Sequence, residues 1–268
     1  MAPAWPPQYS YDVYLQGSYR NSTNIRGDSD VDIVAELHSS FEADLSALDL
    51  GQQTAFHNTY SDASYGWPEF RQHVVDALTD AFDAEQIFEG TKAITVYGSS
   101  GLLDADILAC QEHRLYAQFI SLGSERYVEG VRFQDGITKR WIHNFPKHHY
   151  DNGTDKNDES RTKHWYKPTV RMFKNARTHL IKNDNITPDL APSYFLECLL
   201  FNVPDHRYGG DYEMSFEDCL RWLADSNLIH FVCQNGVVPL FGSTEEQWDQ
   251  AKARKLIEEL MFLWDSWY

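Results

Sequence analysis

The chain is short of positive charge. Its 268 residues include 23 Lys and Arg against 40 Asp and Glu, a formal net charge of −17. Such an acidic molecule offers no general electrostatic footprint for long nucleic acid. Anionic small molecules stay within reach where local cations or metal ions offset the carboxylates. Cysteine is scarce too. Cys110, Cys198, Cys219 and Cys233 form no CxxC pair and stand at no zinc-ligand spacing with histidine. Buried thiols in a reducing compartment are the expectation. No apolar stretch approaches the roughly 18 residues that would span a membrane. The opening "MAPAWPPQYS" lacks the basic and apolar regions of a signal peptide. A cytoplasmic location without a membrane partner is therefore expected, and the sequons at Asn21, Asn152 and Asn185 are read as chance matches. There is no internal repeat and no low-complexity tract.

What is present is a sizeable core. Hydrophobic residues make up 42% and aromatics 14%, spread to the last residue. "VYLQGSY" reads as a short strand or helix entering a turn, and "VDIVAEL" as a strand. Phe70, Val74, Val75, Leu78 and Phe82 recur at helical spacing behind Pro68. "KAITVYG", "DADILAC", "VEGVRF" and "KRWIHNF" are strand-like, with Gly or Asp turns between them. The polar run "PKHHYDNGTDKNDESRTK" reads as a loop between lobes. Helical segments follow it, with Ser215 and Thr244 as candidate N-caps. Strands first and helices later make an α+β protein.

The run "GSYRNSTNIRGDSDVDIV" carries the chemistry. Side chains alternate along a strand, so Asp30 and Asp32 share one face. Two carboxylates that close repel and stay ionised together only around a cation. Mg²⁺ suits them, because it takes oxygen ligands and leaves positions for substrate phosphates. An acidic pair alone is common in a chain with 40 acids, and a solvated turn is the plainer reading. Upstream, Gly17-Ser18 can offer backbone N–H groups and a hydroxyl to a phosphate. A later strand, "LLDADILAC", supplies a third carboxylate in Asp106, with Asp104 as rival. Three carboxylates can hold two Mg²⁺ ions about 4 Å apart, with Mn²⁺ as a substitute.

Gly17-Ser18, Asp30-Val31-Asp32 and the lone Asp106 together resemble the polymerase-β-type nucleotidyltransferase signature. The longer run is similar to the CD-NTases, the bacterial relatives of cyclic GMP-AMP synthase found in anti-phage signalling systems. The likeness extends through "FPKHHYDNGTDKNDESRTKHWYKPTVRMFKNARTHL" and "SYFLECLLFNVP", roughly Gln16 to Pro204. It implies a mixed-sheet catalytic core with flanking helices over 1–160 and a helical C-terminal lobe over 161–268, bilobed, with the active site in the cleft. It implies Asp30, Asp32 and Asp106 as catalytic metal ligands. Arg171 and Lys174 match the family's phosphate-contacting basic residues. Ser193 would contact phosphate and Tyr194 would stack on a base.

Other residues are less telling. Lys167 shares a helix face with Arg171 and Lys174 at i, i+4 and i+7, a pattern that is more often a solvated face. His143, His148 and His149 have no cysteine nearby, so zinc is not expected and they read as loop histidines. His38 reads as structural. Asn152 and Asn157 match family loop positions without an assignable role. Thr23 can cap a turn, and Arg26 can pair with Asp28 or approach phosphate. The final "LWDSWY" is amphipathic and looks packed, so covalent linkage through the C-terminus is not expected.

The resemblance implies an enzyme that joins nucleoside triphosphates into a cyclic di- or oligonucleotide messenger, releases pyrophosphate, and has a product-sensing effector protein as partner. A non-cyclising nucleotidyltransferase acting on a protein, RNA end or small molecule would share every catalytic residue. A catalytically silent nucleotide sensor is the rival from another class.

Overall fold

The structure, a computed structural model, describes residues 9–25, 30–99, 101–244 and 246–266. Chain contacts divide it into two compact units, 1–16 with 30–145 and 17–29 with 146–268.

The first unit is built on a seven-stranded sheet. It contains β1 (Tyr11–Leu15), β2 (Val31–Asp44), β3 (Ile87–Glu89), β4 (Ile94–Val96), β5 (Ala105–Phe119), β6 (Glu125–Gln134) and β7 (Trp141–Asn144). The order is β1-β2-β5-β4-β3; β6 pairs with the later part of β5, and β7 with β6. β2 and β5 run parallel, and the other pairings are antiparallel.

Alternation decides the two faces. Ala35, Leu37, Ile107 and Ala109 pack with Phe70, Val74 and Val75 of a helix, Trp67–Ala81, numbered α3 here. That helix starts as its sequence requires. Pro68 stands in its first turn, where no N–H partner is lost, and the Glu69 carboxylate accepts from Gly66 N–H. Phe70 is fully buried, and a side chain of this kind contributes about 1.5–3 kcal/mol by burial. The Trp67 indole N–H donates to the Ala109 carbonyl at 2.8 Å and ties the helix to the sheet. On the other parity, Val34, Leu108 and Cys110 join Val131, Phe133 and Ile142.

A helix over Leu50–Thr59, α2, lies outside the sequence expectation. It is capped by Asp49 and buries only Phe56, so it shows no apolar stripe to read. Phe56 packs with Leu48, Tyr116 and Phe119.

The second unit is helical. It contains α1 (Gly17–Asn21), α4 (Pro146–Lys156), α5 (Tyr166–Lys182), α6 (Ser193–Phe201), α7 (Tyr212–Asp225) and α8 (Gln250–Ser266). Its core joins Tyr166, Val170, Phe173 and Leu180 of α5 to Leu196, Leu199 and Leu200 of α6. Phe216, Leu220 and Leu223 of α7 and Leu256, Ile257 and Leu260 of α8 complete it.

Two sequence expectations need correction. The run expected as a loop is helix α4 over its first eleven residues. Its composition is polar, but it buries His149, Gly153 and Lys156, and those tertiary contacts outweigh propensity. Neither proposed N-cap starts its helix. Asp211 caps α7 through Met214 N–H, while Ser215 is buried and bonds Thr169 at 2.8 Å. Thr244 does meet Gln247, but α8 begins at Gln250. All four cysteines are free and buried. No described helix is long and apolar enough to cross a membrane. Arg26 and Asp28 lie outside the described residues, as do Trp267 and Tyr268.

Candidate active site

Sheet register sets two of the carboxylates side by side. Asp32 of β2 is the Cα partner of Asp106 on parallel β5. Side chains of paired residues on adjacent strands point to the same face. Asp30 stands just before β2, two positions ahead of Asp32, and therefore on that face as well. It is exposed, and Asp32 and Asp106 are half-buried. The apolar residues that follow on this parity, Val34, Leu108 and Cys110, fix both strands in the core.

Asp106 is also oriented from its other side. Thr95 of β4, its antiparallel partner, donates its hydroxyl to Asp106 Oδ1 at 2.6 Å. The rival Asp104 is occupied elsewhere. Its carboxylate accepts from Gly98 N–H at 2.8 Å, and its carbonyl accepts from Val31 N–H at 2.9 Å. It is a turn residue that pins the starts of β2 and β5. Three carboxylates supply oxygen donors only, the ligand set that hard divalent cations such as Mg²⁺ or Mn²⁺ take. The donor chemistry of these residues therefore suits such a metal.

The second unit holds the remaining expected site residues. Gly17 has φ of +65°, a left-handed conformation that favours glycine, and it opens α1. Ser18 accepts Thr23 N–H at its carbonyl, closing the turn after α1. Two basic residues of α5 reach this arm. Arg171 Nη1 donates to the Ser22 carbonyl at 2.5 Å, and Lys174 Nζ to the Thr23 carbonyl at 3.2 Å. Lys167 stays apart, against Thr154 and the Tyr150 ring. Ser193 and Tyr194 open α6. Tyr194 is 40% exposed, and its ring stacks on His149 at 5.2 Å with 26° between planes.

One functional group escaped the sequence reading. Glu197 of α6 is buried, and every lone-pair direction of its carboxylate is used. Oε1 receives Lys174 Nζ at 2.5 Å and the Thr23 hydroxyl at 2.8 Å. Oε2 meets His149 Nε2 at 3.2 Å and Asn21 Nδ2 at 3.4 Å. Burial pushes this carboxyl up. The His149 hydrogen bond and the Lys174 charge outweigh it and bring the pKa down to about 2. Lys174 is therefore a buried cation paired with a buried anion. The available signal was an acid inside the apolar run "FLECLL", since acids are seldom buried unpaired. The histidines are not loop residues either: His143 lies on β7, and His148 and His149 on α4. Asn152 donates to the Gln234 carbonyl, and Asn157 accepts from Lys167 N–H.

Comparisons with known proteins agree. Residues 151–265 match the cGAS/DncV-like nucleotidyltransferase C-terminal helical domain. The chain is 45% identical over 261 residues to the cyclic UMP-AMP synthase of Rhodothermus marinus, spanning 97% of this chain and 87% of that protein. It is 40% identical over 260 residues to the cyclic nucleotide synthase CdnE01 of Staphylococcus haemolyticus, across 96% and 85% of the two. The solved structure of the Rhodothermus marinus CdnE c-UMP-AMP synthase with Apcpp and Upnpp matches with a TM-score of 0.88 at 44% identity, over 98% of this chain and 86% of that one. The chain thus belongs to the CD-NTase family, as a nucleotidyltransferase of the cyclic oligonucleotide synthase class built on a polymerase-β-type core with a helical C-terminal domain.

Proposed function

We propose that the protein condenses nucleoside triphosphates into a cyclic di- or oligonucleotide messenger in the cytoplasm. The observation that carries this reading is the register of Asp32 on Asp106, with Asp30 on the same face. Asp30, Asp32 and Asp106 would hold two Mg²⁺ ions, with Mn²⁺ able to replace them. Bound there, such ions neutralise charge on the attacking hydroxyl and the leaving pyrophosphate. A ribose hydroxyl attacks the α-phosphorus of a second nucleotide. The bond to the β-phosphate breaks, and pyrophosphate leaves with its electron pair. Asp106, held by Thr95, takes up or relays the hydroxyl proton. Repeating the step on the linear product closes the ring.

Phosphoryl transfer of this kind depends on positioning and charge neutralisation. Gly17, Ser18, Arg171 and Ser193 would bind the triphosphate, and Tyr194 would stack on a base. Lys174 was expected beside them. With its ammonium on Glu197 and Thr23, it would serve by fixing the arm that follows Ser18. The product would act in anti-phage defence, sensed by a separate effector protein. A net charge of −17 disfavours a DNA activator.

The test is mass spectrometry of products made with Mg²⁺ or Mn²⁺ and all four ribonucleoside triphosphates, after phosphatase treatment. A phosphatase-resistant cyclic product, absent from Asp30→Asn/Asp32→Asn protein, is the expected result and names the bases. Linear products alone, or label transferred to an added protein, RNA or small molecule, would instead give a non-cyclising transferase.

A further inference from the structure

The far end of the same sheet carries a second cluster of metal-ligand side chains. Glu42 of β2 and His113 of β5 are register partners, like Asp32 and Asp106. His143 comes from β7, two strands beyond β5. One donor atom from each of the three lies within 4.8 Å of the other two. Glu42 Oε2 is 2.6 Å from His113 Nδ1 and 3.7 Å from His143 Nε2. The imidazole centroids are 4.4 Å apart. Ligands at 2.0–2.1 Å around a tetrahedral ion stand about 3.3 Å from one another. Shifts of under about an ångström would therefore convert this cluster into a coordination set.

We propose that Glu42, His113 and His143 form a binding site for a divalent transition cation of the Zn²⁺ type. The site is separate from the aspartate set. His113 lies seven positions beyond Asp106 on β5, about 23 Å along an extended strand, and the bulge between Leu37 and Phe41 brings Glu42 of β2 level with it. Its chemistry is also different. Two imidazoles and one carboxylate suit Zn²⁺ and its neighbours in the first transition row, whereas Mg²⁺ takes oxygen.

Three features prepare the cluster. First, one carboxylate oxygen, Glu42 Oε2, already stands within reach of a ring nitrogen from each histidine. Second, the other carboxylate oxygen is turned aside. Arg132 Nη1 lies 3.9 Å from Oε1, leaving Oε2 to the imidazoles. The guanidinium is itself anchored by two bonds to Gln111 Oε1 and by the Trp141 ring 4.2 Å away. Its charge opposes the cation, but orienting a ligating carboxylate from behind is a usual second-layer role. Third, His113 sits opposite Gly130 on the intervening strand β6. A Cβ at Gly130 would stand 2.8 Å from the Phe145 ring and 2.7 Å from the Asn144 carbonyl. The bare glycine lets the end of β7 fold close over β6. The bound ion would clip β2, β5 and β7 together where the sheet extends past the core helix α3.

The test uses the full chain with Asp30→Asn/Asp32→Asn, which disables the carboxylate pair, and Co²⁺ as a spectroscopic probe. One equivalent of Co²⁺ should give a visible ligand-field band, displaced by Zn²⁺. Saturating Zn²⁺ should raise Tm by roughly 5 °C. Adding His143→Gln or Glu42→Gln should abolish both signals. These two partly exposed positions lie on different strands, and melts without metal report that each variant is folded. Absence of the band in the parent, or its survival in either folded variant, overturns the proposal.

Discussion

Asp32 and Asp106 face each other across two parallel strands, and the hydroxyl of Thr95 holds the second of them at 2.6 Å. Asp104, only two positions earlier, is tied to Gly98 N–H. The two aspartates of "DAD" should therefore respond differently to the same change. Asp106→Asn is expected to cut product formation by at least about 10³-fold, the loss that follows when some 4 kcal/mol of charge stabilisation goes. Asp104→Asn keeps an acceptor for Gly98 and should remain within about threefold of the parent. Pyrophosphate release, measured for both, decides. Equal losses would sink the distinction.

This pair also marks how far the sequence could be read. Asp30 and Asp32 were legible because strand alternation is local, and the apolar residues after Asp32 announce a buried strand. Asp106 and Asp104 have the same parity, and only the place of Asp104 ahead of the apolar run suggested a turn residue. It took the partner strand to show that one faces Asp32 and the other closes a turn. Helix α4 was hidden by its polar composition, since the partners that bury His149 and Lys156 are remote in sequence. The same holds for Glu42, His113 and His143, which three strands bring together. Glu197 did leave a local trace, an acid among leucines, but nothing nearby named Lys174 as its partner.

Arg171 gives a second prediction. It lies on α5 with its guanidinium on the Ser22 carbonyl, next to the arm that opens with Gly17 and Ser18. Arg171→Ala should raise KM for triphosphate about 10- to 100-fold, the range for losing a charged hydrogen bond of about 1.5–3 kcal/mol. It should also flatten the rise of KM with salt, because a screened cation has been removed. Initial rates at two ionic strengths test it. A KM that keeps the parental salt dependence would place Arg171 outside phosphate binding.

Tyr194 offers its face rather than its hydroxyl. The ring is 40% exposed and stacked on His149, while the hydroxyl is turned inward, against Asn235 Nδ2 at 3.3 Å and the Cys198 and Cys233 thiols. Tyr194→Phe should therefore be close to neutral for nucleotide binding. Tyr194→Ala should weaken nucleotide binding by about 1–3 kcal/mol, roughly 5- to 150-fold. Titration of a non-hydrolysable triphosphate by calorimetry separates the two. A large loss in Tyr194→Phe would assign the role to the hydroxyl.

The buried Glu197–Lys174 pair carries a stability prediction with a defined pH window. Its carboxyl has a pKa of about 2, against an ordinary value of 4.5. A carboxyl whose pKa is depressed by folding contributes stability above its unfolded pKa. That contribution fades as the pH falls from about 4.5 towards 2. The difference is worth about 3 kcal/mol. Glu197→Gln should therefore flatten the acid limb of Tm against pH in that window. It should also leave the Lys174 ammonium buried without an anion, at a cost of about 3–5 kcal/mol at neutral pH. Adding Lys174→Met removes the stranded charge, so the double variant should be more stable than Glu197→Gln alone. Thermal melts from pH 2 to 7 on the three proteins test both parts. Parallel acid limbs, or a double variant less stable than the single, would mean that the pair is not what holds α5, α6 and the Asn21–Thr23 arm together.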